Sequence, residues 1–250
     1  MELKKTTQTM VLAALALSGA AFAQTPAPAA APEPDYTFAF NVGAVTEYRY
    51  RGISQSGMKP ALQGGIDFTH KSGFYLGTWG STIKWIKDAG GDAPIEIDIY
   101  GGYKGTAGDF SYDVGVLSYQ YPGHDLAVSP TTTEIYGAGT FGPVTIKYSH
   151  SLSNLFGFSN SKNSYYLEGA ATFDLGNGWS LVPHIGYQKV KNNDPFTYTD
   201  YSLTLGKDFG NGFSGSAMIV GTDADDTLYV RPDGKFTGKT MLVVGVKYSF

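Results

Sequence analysis

The 250-residue sequence contains no cysteine, which excludes disulfide bonds, thiol chemistry and a lipid-modified N-terminal cysteine. Charged residues are scarce: they make up 16% of the chain, against roughly 25% in an average soluble domain. The formal net charge of −4 argues against a nucleic-acid partner. After residue 36, no apolar run reaches the ~18 residues that a transmembrane helix needs. If the chain lies in a membrane, strands must hold it there.

The N-terminal region has the pattern of an export signal followed by a linker. Within residues 1–23, two lysines precede a short apolar stretch and an Ala-Phe-Ala motif, which is typical of a secretory signal peptide. Residues 24–35 are rich in Pro and Ala, so we expect an extended periplasmic linker that packs poorly. Residues 36–250 remain for the folded domain.

The folded domain alternates strand-like runs with turn residues. The runs are rich in Tyr, Phe, Val, Ile and Thr, and they alternate apolar with polar positions. Short connections containing Gly or Asn alternate strictly with long ones, as in an up-and-down barrel. The sequence therefore predicts an all-β fold, a transmembrane up-and-down antiparallel β-barrel of about 12 strands. The predicted strands are 37–49, 61–71, 73–81, 95–105, 110–120, 133–141, 143–151, 164–174, 178–188, 200–209, 213–221 and 240–250.

Alternation alone does not say which face lies inside, because a soluble sandwich gives the same pattern. The low charge content, the aromatic residues near strand ends and the regular turn asymmetry favour an apolar face toward lipid. Tyr48 is among the aromatics assigned to that face. In the last strand, Val244 is expected to face lipid, while Val243 and Lys247 face water inside the barrel.

One segment carries a family resemblance. The stretch TEYRYRGISQSGMKPALQGGIDFTHKSGFYLGTWGS at 46–81 resembles the start of the TorF-family porins of Gram-negative outer membranes. The barrel pattern resembles that family over 36–250, and the resemblance implies a cell outer-membrane protein that contacts outer-membrane lipids and small hydrophilic solutes. It also implies that the barrel assembly machinery reads Tyr248 and Phe250 as an assembly signal. The resembling positions in and next to the first long loop are Arg51, Gly52, Ser54, Gln55, Pro60 and Gln63.

The inner faces of the predicted strands carry more acidic than basic groups. Barrels of 8 strands are filled by side chains and barrels of ~16 hold open water, so about 12 strands predict a narrow or partly plugged lumen. Passive diffusion of small solutes or ions, with a weak cation preference, is the expected function, and neither enzymatic activity nor a cofactor is expected. The predicted lumen residues are Glu47, Arg49, Asp67, Glu96, Asp98, Lys104, Asp113, Glu134, Lys147, Glu168, Asp174, His184 and Lys247.

Two arginines in the first loop admit two interpretations. Extending the first strand to residue 49 would place Arg49 opposite Ala61 and Glu47 opposite Gln63, all facing inward. In one interpretation Arg49 and Arg51 set the electric field at the outer mouth of the pore. In the other they form a structural network that holds the loop, and the two interpretations are compatible.

Three further readings of the sequence stay open. A lumen closed by ion pairs would make the protein a structural or loop-binding barrel. A membrane-embedded lipid hydrolase would need a serine beside His70 or His150, which both have lipid-side parity. In the 222–239 loop, Asp223, Asp225 and Asp226 either hold Ca²⁺ or form a solvated acidic loop.

Overall fold

The computed structural model describes residues 34–250; the predicted signal peptide and linker residues 24–33 lie outside that range. In the described range, the helical elements are α1 (Trp85–Asp88) and one 3₁₀ turn (Asp194–Phe196). None of the helices found there is long and apolar enough to cross a membrane. The strands are β1 (Tyr36–Val45), β2 (Arg49–Tyr50), β3 (Ile53–Ser54), β4 (Ala61–His70), β5 (Phe74–Thr82), β6 (Ile95–Ala107), β7 (Phe110–Gln120), β8 (Thr132–Phe141), β9 (Val144–Ser151), β10 (Tyr165–Ala171), β11 (Phe173–Gly176), β12 (Trp179–Lys189), β13 (Tyr198–Gly210), β14 (Phe213–Thr222) and β15 (Met241–Ser249).

The strands form a closed ring of antiparallel neighbours. Most of them pair with the next strand along the chain, and β1 closes the ring by pairing with both β4 and β15. The segments β10 and β11 are two halves of one broken strand, and both pair with β12. Strands β2 and β3 form a separate small hairpin. The predicted 12-strand antiparallel barrel is confirmed.

The two faces of the wall differ in the way the alternation predicts. Large apolar side chains on the outside are strongly exposed, for example Leu62 at 66% and Ile146 at 58%. Inward side chains instead contact one another: the Tyr100 hydroxyl of β6 passes over Gly77 of β5 and donates to Asp67 of β4 at 2.5 Å. A continuous apolar outer surface of this extent is suited to lipid and not to water.

Short turns join the strands at one end of the barrel. In two of them a Gly-Asn-Gly sequence adopts positive φ, with Asn177 at 52° and Gly178 at 76°, then Asn211 at 52° and Gly212 at 82°. Consecutive left-handed residues match the twist of a tight hairpin, and Asn and Gly tolerate that conformation best. We call this the short-turn end and the opposite one the long-loop end.

The break between β10 and β11 lies opposite a proline. Their pairing with β12 stops at Ala170↔His184 and resumes at Phe173↔Leu181, so the gap spans Pro183. Pro183 has no N–H to donate on that side, while on the other side it pairs with Leu203 within an unbroken ladder. Losing a single donor therefore interrupts only one of the two neighbouring ladders.

The first strand ends earlier than the sequence predicts. It stops at Val45, which pairs with Ala61, and Gln63 pairs with Gly43. The prediction that placed Arg49 opposite Ala61 and Glu47 opposite Gln63 is therefore wrong. The physical reason is that residues 46–60, here called loop 1, turn into the barrel, where packing and hydrogen bonds replace the wall ladder.

The long loops are fastened to each other above the barrel. Arg231 of the 223–240 connection donates from Nε to Asp88 of α1 at 2.8 Å, and Lys84 also contacts that carboxylate. Burial alone would raise the pKa of Asp88, but the hydrogen bonds from Lys84 and Arg231 hold it below its ordinary value. This end of the molecule is thus covered by connected loops.

Candidate functional site

Loop 1 fills part of the barrel interior at the long-loop end. Its Tyr48 is only 6% exposed and donates its hydroxyl to Glu96 of β6 at 2.6 Å. Val45, Trp79 and Val243 belong to the same buried apolar cluster as Tyr48. The expectation that Tyr48 belongs to an outer aromatic belt is therefore wrong, because the chain turns inward just before it. Val243 likewise packs against protein at 4% exposure and does not face open water.

The tip of loop 1 requires its Arg-Gly pair. Arg51 and Gly52 both have positive φ, at 46° and 78°, which turns the chain back sharply. A Cβ added to Gly52 would lie 2.4 Å from Thr222 and 2.7 Å from Asp200, so only glycine fits against these wall residues. The tip is therefore packed against β13 and β14, and the Arg51 side chain extends from it toward β8 and β12.

Arg51 crosses the interior and contacts two distant strands. Its guanidinium pairs bidentately with Glu134 of β8, with Nη2–Oε2 at 2.7 Å and Nη1–Oε1 at 3.0 Å. Nη1 also donates to the Gln188 amide oxygen of β12 at 2.6 Å. The same guanidinium lies 4.2 Å from the ring centre of Tyr166 and 4.9 Å from that of Tyr50. A planar five-donor group is suited to such simultaneous contacts.

Arg49 stabilises the base of the same loop through an ion pair and backbone hydrogen bonds. Its Nε lies 2.8 Å from Glu47, and both side chains are almost completely buried. Its Nη1 donates to the carbonyl oxygens of Gly52 at 2.8 Å and Thr237 at 2.7 Å. These contacts form the structural network that was one of the two interpretations of the arginines, and they link loop 1 to the 223–240 connection.

Other motif residues support the loop locally. The Ser54 hydroxyl accepts from the Met58 N–H at 2.9 Å, and the Gln55 carbonyl accepts from the N–H groups of Lys84 and Trp85. Pro60 precedes β4, where Gln63 reaches Ser81 at 3.4 Å. The residues of the motif therefore stabilise the conformation of loop 1.

Three acidic residues lie inside the barrel near loop 1. Glu96, Asp98 and Glu134 are only 2%, 6% and 1% exposed, so these predicted lumen residues are enclosed by protein. The Glu96 carboxylate accepts from the Tyr121 hydroxyl at 2.8 Å in addition to the bond from Tyr48. The sequence interpretation had them facing water, and the inward fold of loop 1 is the reason that they do not.

A second polar cluster lies on the facing wall. His184 Nε2 is 3.1 Å from Glu168, and its Nδ1 is 3.6 Å from Asp200. The Tyr166 hydroxyl donates to Asp200 at 2.8 Å. Asp200 is absent from the predicted lumen set, although it has the same alternate-position parity as other inward residues of β13.

The interior toward the short-turn end is less tightly filled. The Tyr75 hydroxyl donates to Asp113 at 2.5 Å and also contacts the Tyr136 hydroxyl. Lys147 lies 4.6 Å from the ring centre of Tyr136. This half of the barrel also contains charged side chains that are partly or fully exposed, namely Asp67, Lys104, Asp174 and Lys247.

Inward-facing tyrosines are the largest group that the sequence interpretation missed. They donate to three of the six buried carboxylates, Glu96, Glu134 and Asp200, since a phenol combines an apolar ring with one donor. For Tyr100, Tyr119, Tyr136 and Tyr166 the signal was parity, because each shares a strand face with a predicted lumen residue; β5, which carries Tyr75, has no such residue. The members of this group are Tyr48, Tyr50, Tyr75, Tyr100, Tyr119, Tyr121, Tyr136 and Tyr166.

Of the two histidines of the hydrolase alternative, His70 has a serine beside it and His150 contacts other groups. His70 Nδ1 is 2.7 Å from Ser72 within one short turn, and that nitrogen also lies 3.2 Å from the Ser72 backbone N–H. His150 instead contacts Tyr148 and Asn163 near the long-loop end. The first pair has the form of a local turn contact.

The aspartates of the 222–239 loop bind backbone groups. Asp225 accepts from the N–H and hydroxyl of Thr227 at 2.8 and 2.6 Å, and Asp223 accepts from the Thr199 N–H at 2.6 Å. Asp225 has a lowered pKa because of the hydrogen bonds from Thr227. The Asp225 bonds are those of a turn-capping residue, whereas Asp223 joins its loop to the residue before Asp200.

Comparisons with solved structures place the barrel among known channel folds. It matches the KdgM porin, solved in complex with disordered oligogalacturonate, at TM-score 0.56 and 11% identity over 85% of this chain and 99% of that one. It matches the NanC porin at TM-score 0.55 and 10% identity over 85% and 99%. An outer-membrane channel from Pseudomonas putida F1 matches at TM-score 0.50 and 12% identity over 86% and 95%. At these identities the likeness is one of fold.

Sequence comparison places the chain in a family. No curated protein matches the chain. A family model does match, over residues 29–250, which is most of the sequence. The chain belongs to that family, Gcw_chp, described as bacterial proteins of unknown function.

Proposed function

We propose that the protein is a porin-like channel of the bacterial outer membrane, through which small solutes or ions diffuse passively along a narrow charged lumen. The observation that carries the proposal is a closed barrel with an apolar outer face and charged residues on its inner face. The resemblance of residues 46–81 to TorF-family porins and the porin-like fold support the same function. The long loops would face the cell exterior and the short turns the periplasm.

Loop 1 is the constriction of this proposed channel. It occupies the interior at the long-loop end, and Arg51 holds it to β8 through Glu134 and to β12 through Gln188. Permeation would therefore pass beside loop 1 or accompany its displacement. The proposed conductance is accordingly small.

The inner face favours cations weakly. Eight acidic residues of the predicted lumen set stand against four lysines and arginines, and Asp200 adds another acid. Ion pairs with Arg49 and Arg51 neutralise Glu47 and Glu134, which keeps the preference weak. The preference should decrease as salt screens the lining charges.

Planar-bilayer recording of refolded protein tests the proposal. We expect a small conductance with a weak cation preference in the reversal potential. The double variant Arg51→Ala with Glu134→Gln releases loop 1 without leaving an unpaired charge, so its conductance should be larger. Lys71→Ala, at an exposed short turn, is the matched control and should leave conductance unchanged.

Two results would contradict the proposed channel. One is a reversal potential that indicates anion selectivity. The other is electrical silence of demonstrably folded wild-type and double-variant protein, which would favour the closed structural barrel.

A further inference from the structure

Two buried carboxylates at the long-loop end have no cationic partner among residues 34–250. Glu96 accepts hydrogen bonds from the hydroxyls of Tyr48 and Tyr121, which are neutral donors. Asp98 lies two residues further along the same inward face of β6. The arginines of loop 1 are engaged elsewhere, since their ion pairs are with Glu47 and Glu134. When ionised, these two carboxylates therefore have no ion-pair partner among the described residues.

Asp98 supplies the more specific observation. It is 6% exposed, and its Oδ1 atom is buried without any hydrogen-bond partner in the described part of the chain. Its neighbours across the ladders are Trp79 and Tyr119, both buried inside the barrel. Glu96, two residues away on the same face of β6, is buried as well, at 2% exposure. Asp98 thus places an unpaired, buried acceptor next to a second buried carboxylate.

A proton alone does not satisfy this group. Protonated at Oδ2, Asp98 would be neutral, but its buried Oδ1 would still lack a hydrogen-bond donor among residues 34–250. Ionised, it would be a buried charge without a partner, which is strongly unfavourable. A cation that prefers oxygen ligands removes both difficulties, and two carboxylates match the charge of a divalent ion.

We propose that Asp98 and Glu96 bind a hard divalent cation of the Ca²⁺ type inside the barrel, with Tyr48 of loop 1 closing over the site. Carboxylate and hydroxyl oxygens are the donors that such an ion takes. An ion bound there would hold the Glu96 carboxylate in place, and Glu96 in turn accepts the hydrogen bond from Tyr48 of loop 1. The inference goes beyond permeation, and it stands or falls separately from the channel proposal.

Calcium-dependent stability of the full chain tests the site. The protein is refolded from urea into phosphocholine vesicles, with either Ca²⁺ or EDTA and with ionic strength held constant by KCl. The wild-type urea midpoint should rise with calcium, by a constant increment for each tenfold increase at saturating concentrations. The Asp98→Asn variant should lose this dependence, and in EDTA it should be at least as stable as wild type because it removes an unpaired charge.

Asp113→Asn is the matched control, since Asp113 is an inward carboxylate held by Tyr75 in the other half of the barrel. It should keep the full calcium response. A wild-type midpoint equal in calcium and EDTA would overturn the proposal, as would an unchanged calcium response in Asp98→Asn. If Asp98→Asn does not fold, Glu96→Gln carries the same test, and a retained calcium response there would equally overturn the proposal.

Discussion

At the scale of single residues, the Arg51–Glu134 pair is the interaction on which loop 1 depends most. Both side chains are almost completely buried, at 6% and 1% exposure, and the pair is bidentate. Removing one partner leaves the other charge buried and alone. We expect Arg51→Ala to lower the free energy of unfolding by about 3–5 kcal/mol, measured by urea unfolding in lipid vesicles.

An exposed pair of the same chemistry provides the contrast. Lys71 and Asp35 are 2.7 Å apart at the short-turn end, with side chains 66% and 62% exposed. Asp35→Asn should change stability by less than about 1 kcal/mol, because water already solvates both charges. Similar losses for Arg51→Ala and Asp35→Asn would show that Arg51 is not enclosed as described.

At the scale of the strand, adjacent residues face different solvents. Leu203 in the middle of β13 is 46% exposed on the outer face, while Thr204 next to it points inward and is half-buried. Leu203→Arg would place a charge in hydrocarbon at a cost of about 2–4 kcal/mol near the midplane. Thr204→Arg should cost clearly less in the same vesicle unfolding experiment. Equal losses would contradict the assigned faces.

The last strand does not offer an equally clear comparison. The sequence predicts that Val244→Arg is costly and Val243→Arg is not, because it places Val243 against water. In the structure Val243 packs in the buried cluster around loop 1, so an arginine there would be overpacked and buried. The predicted inward and outward faces of β15 are correct, but an inward side chain is not always in contact with water.

At the scale of the whole molecule, closure of the ring joins the two ends of the folded domain. Phe40 and Phe250 exchange two backbone hydrogen bonds, of 2.9 and 3.0 Å, and their rings stack on the outer face. Deleting Phe250 removes these contacts but leaves the ladder between β1 and β15, which pairs from Asn41↔Ser249 onward. We expect a modest loss in detergent refolding and a larger loss of assembled protein in cells, if assembly machinery also reads this residue.

The measurement compares the yield of folded protein in detergent and in cells, from the gel migration of samples before and after boiling. Phe141→Ala is the control, since it removes another exposed outward phenylalanine at a short turn without affecting closure. Equal assembly losses in cells for both variants would remove any special role from Phe250.

The barrel wall could be predicted from the sequence. Period-two alternation, Gly-Asn-Gly turns and the alternation of short and long connections are local properties, and apart from the early end of β1 the strands of the ring lie close to where their own patterns place them. The broken strand opposite Pro183 is the main irregularity of the wall, and it too follows from one residue. The inward faces of Glu96, Glu134 and Glu168 could be read in the same way, because parity depends only on the strand that carries them.

What occupies the barrel interior depends on tertiary contacts. Loop 1 has no periodicity that shows whether it projects outward or folds inward; its direction depends on partners such as Glu134 and Gln188, which are 83 and 137 residues away along the chain from Arg51. For this reason Tyr48, Asp98 and Val243, which the sequence predicts to face lipid or water, are packed against protein in the structure. Whether an inward residue meets water or protein depends on which distant loop occupies the same volume, and that is a property of the closed ring and not of any one strand.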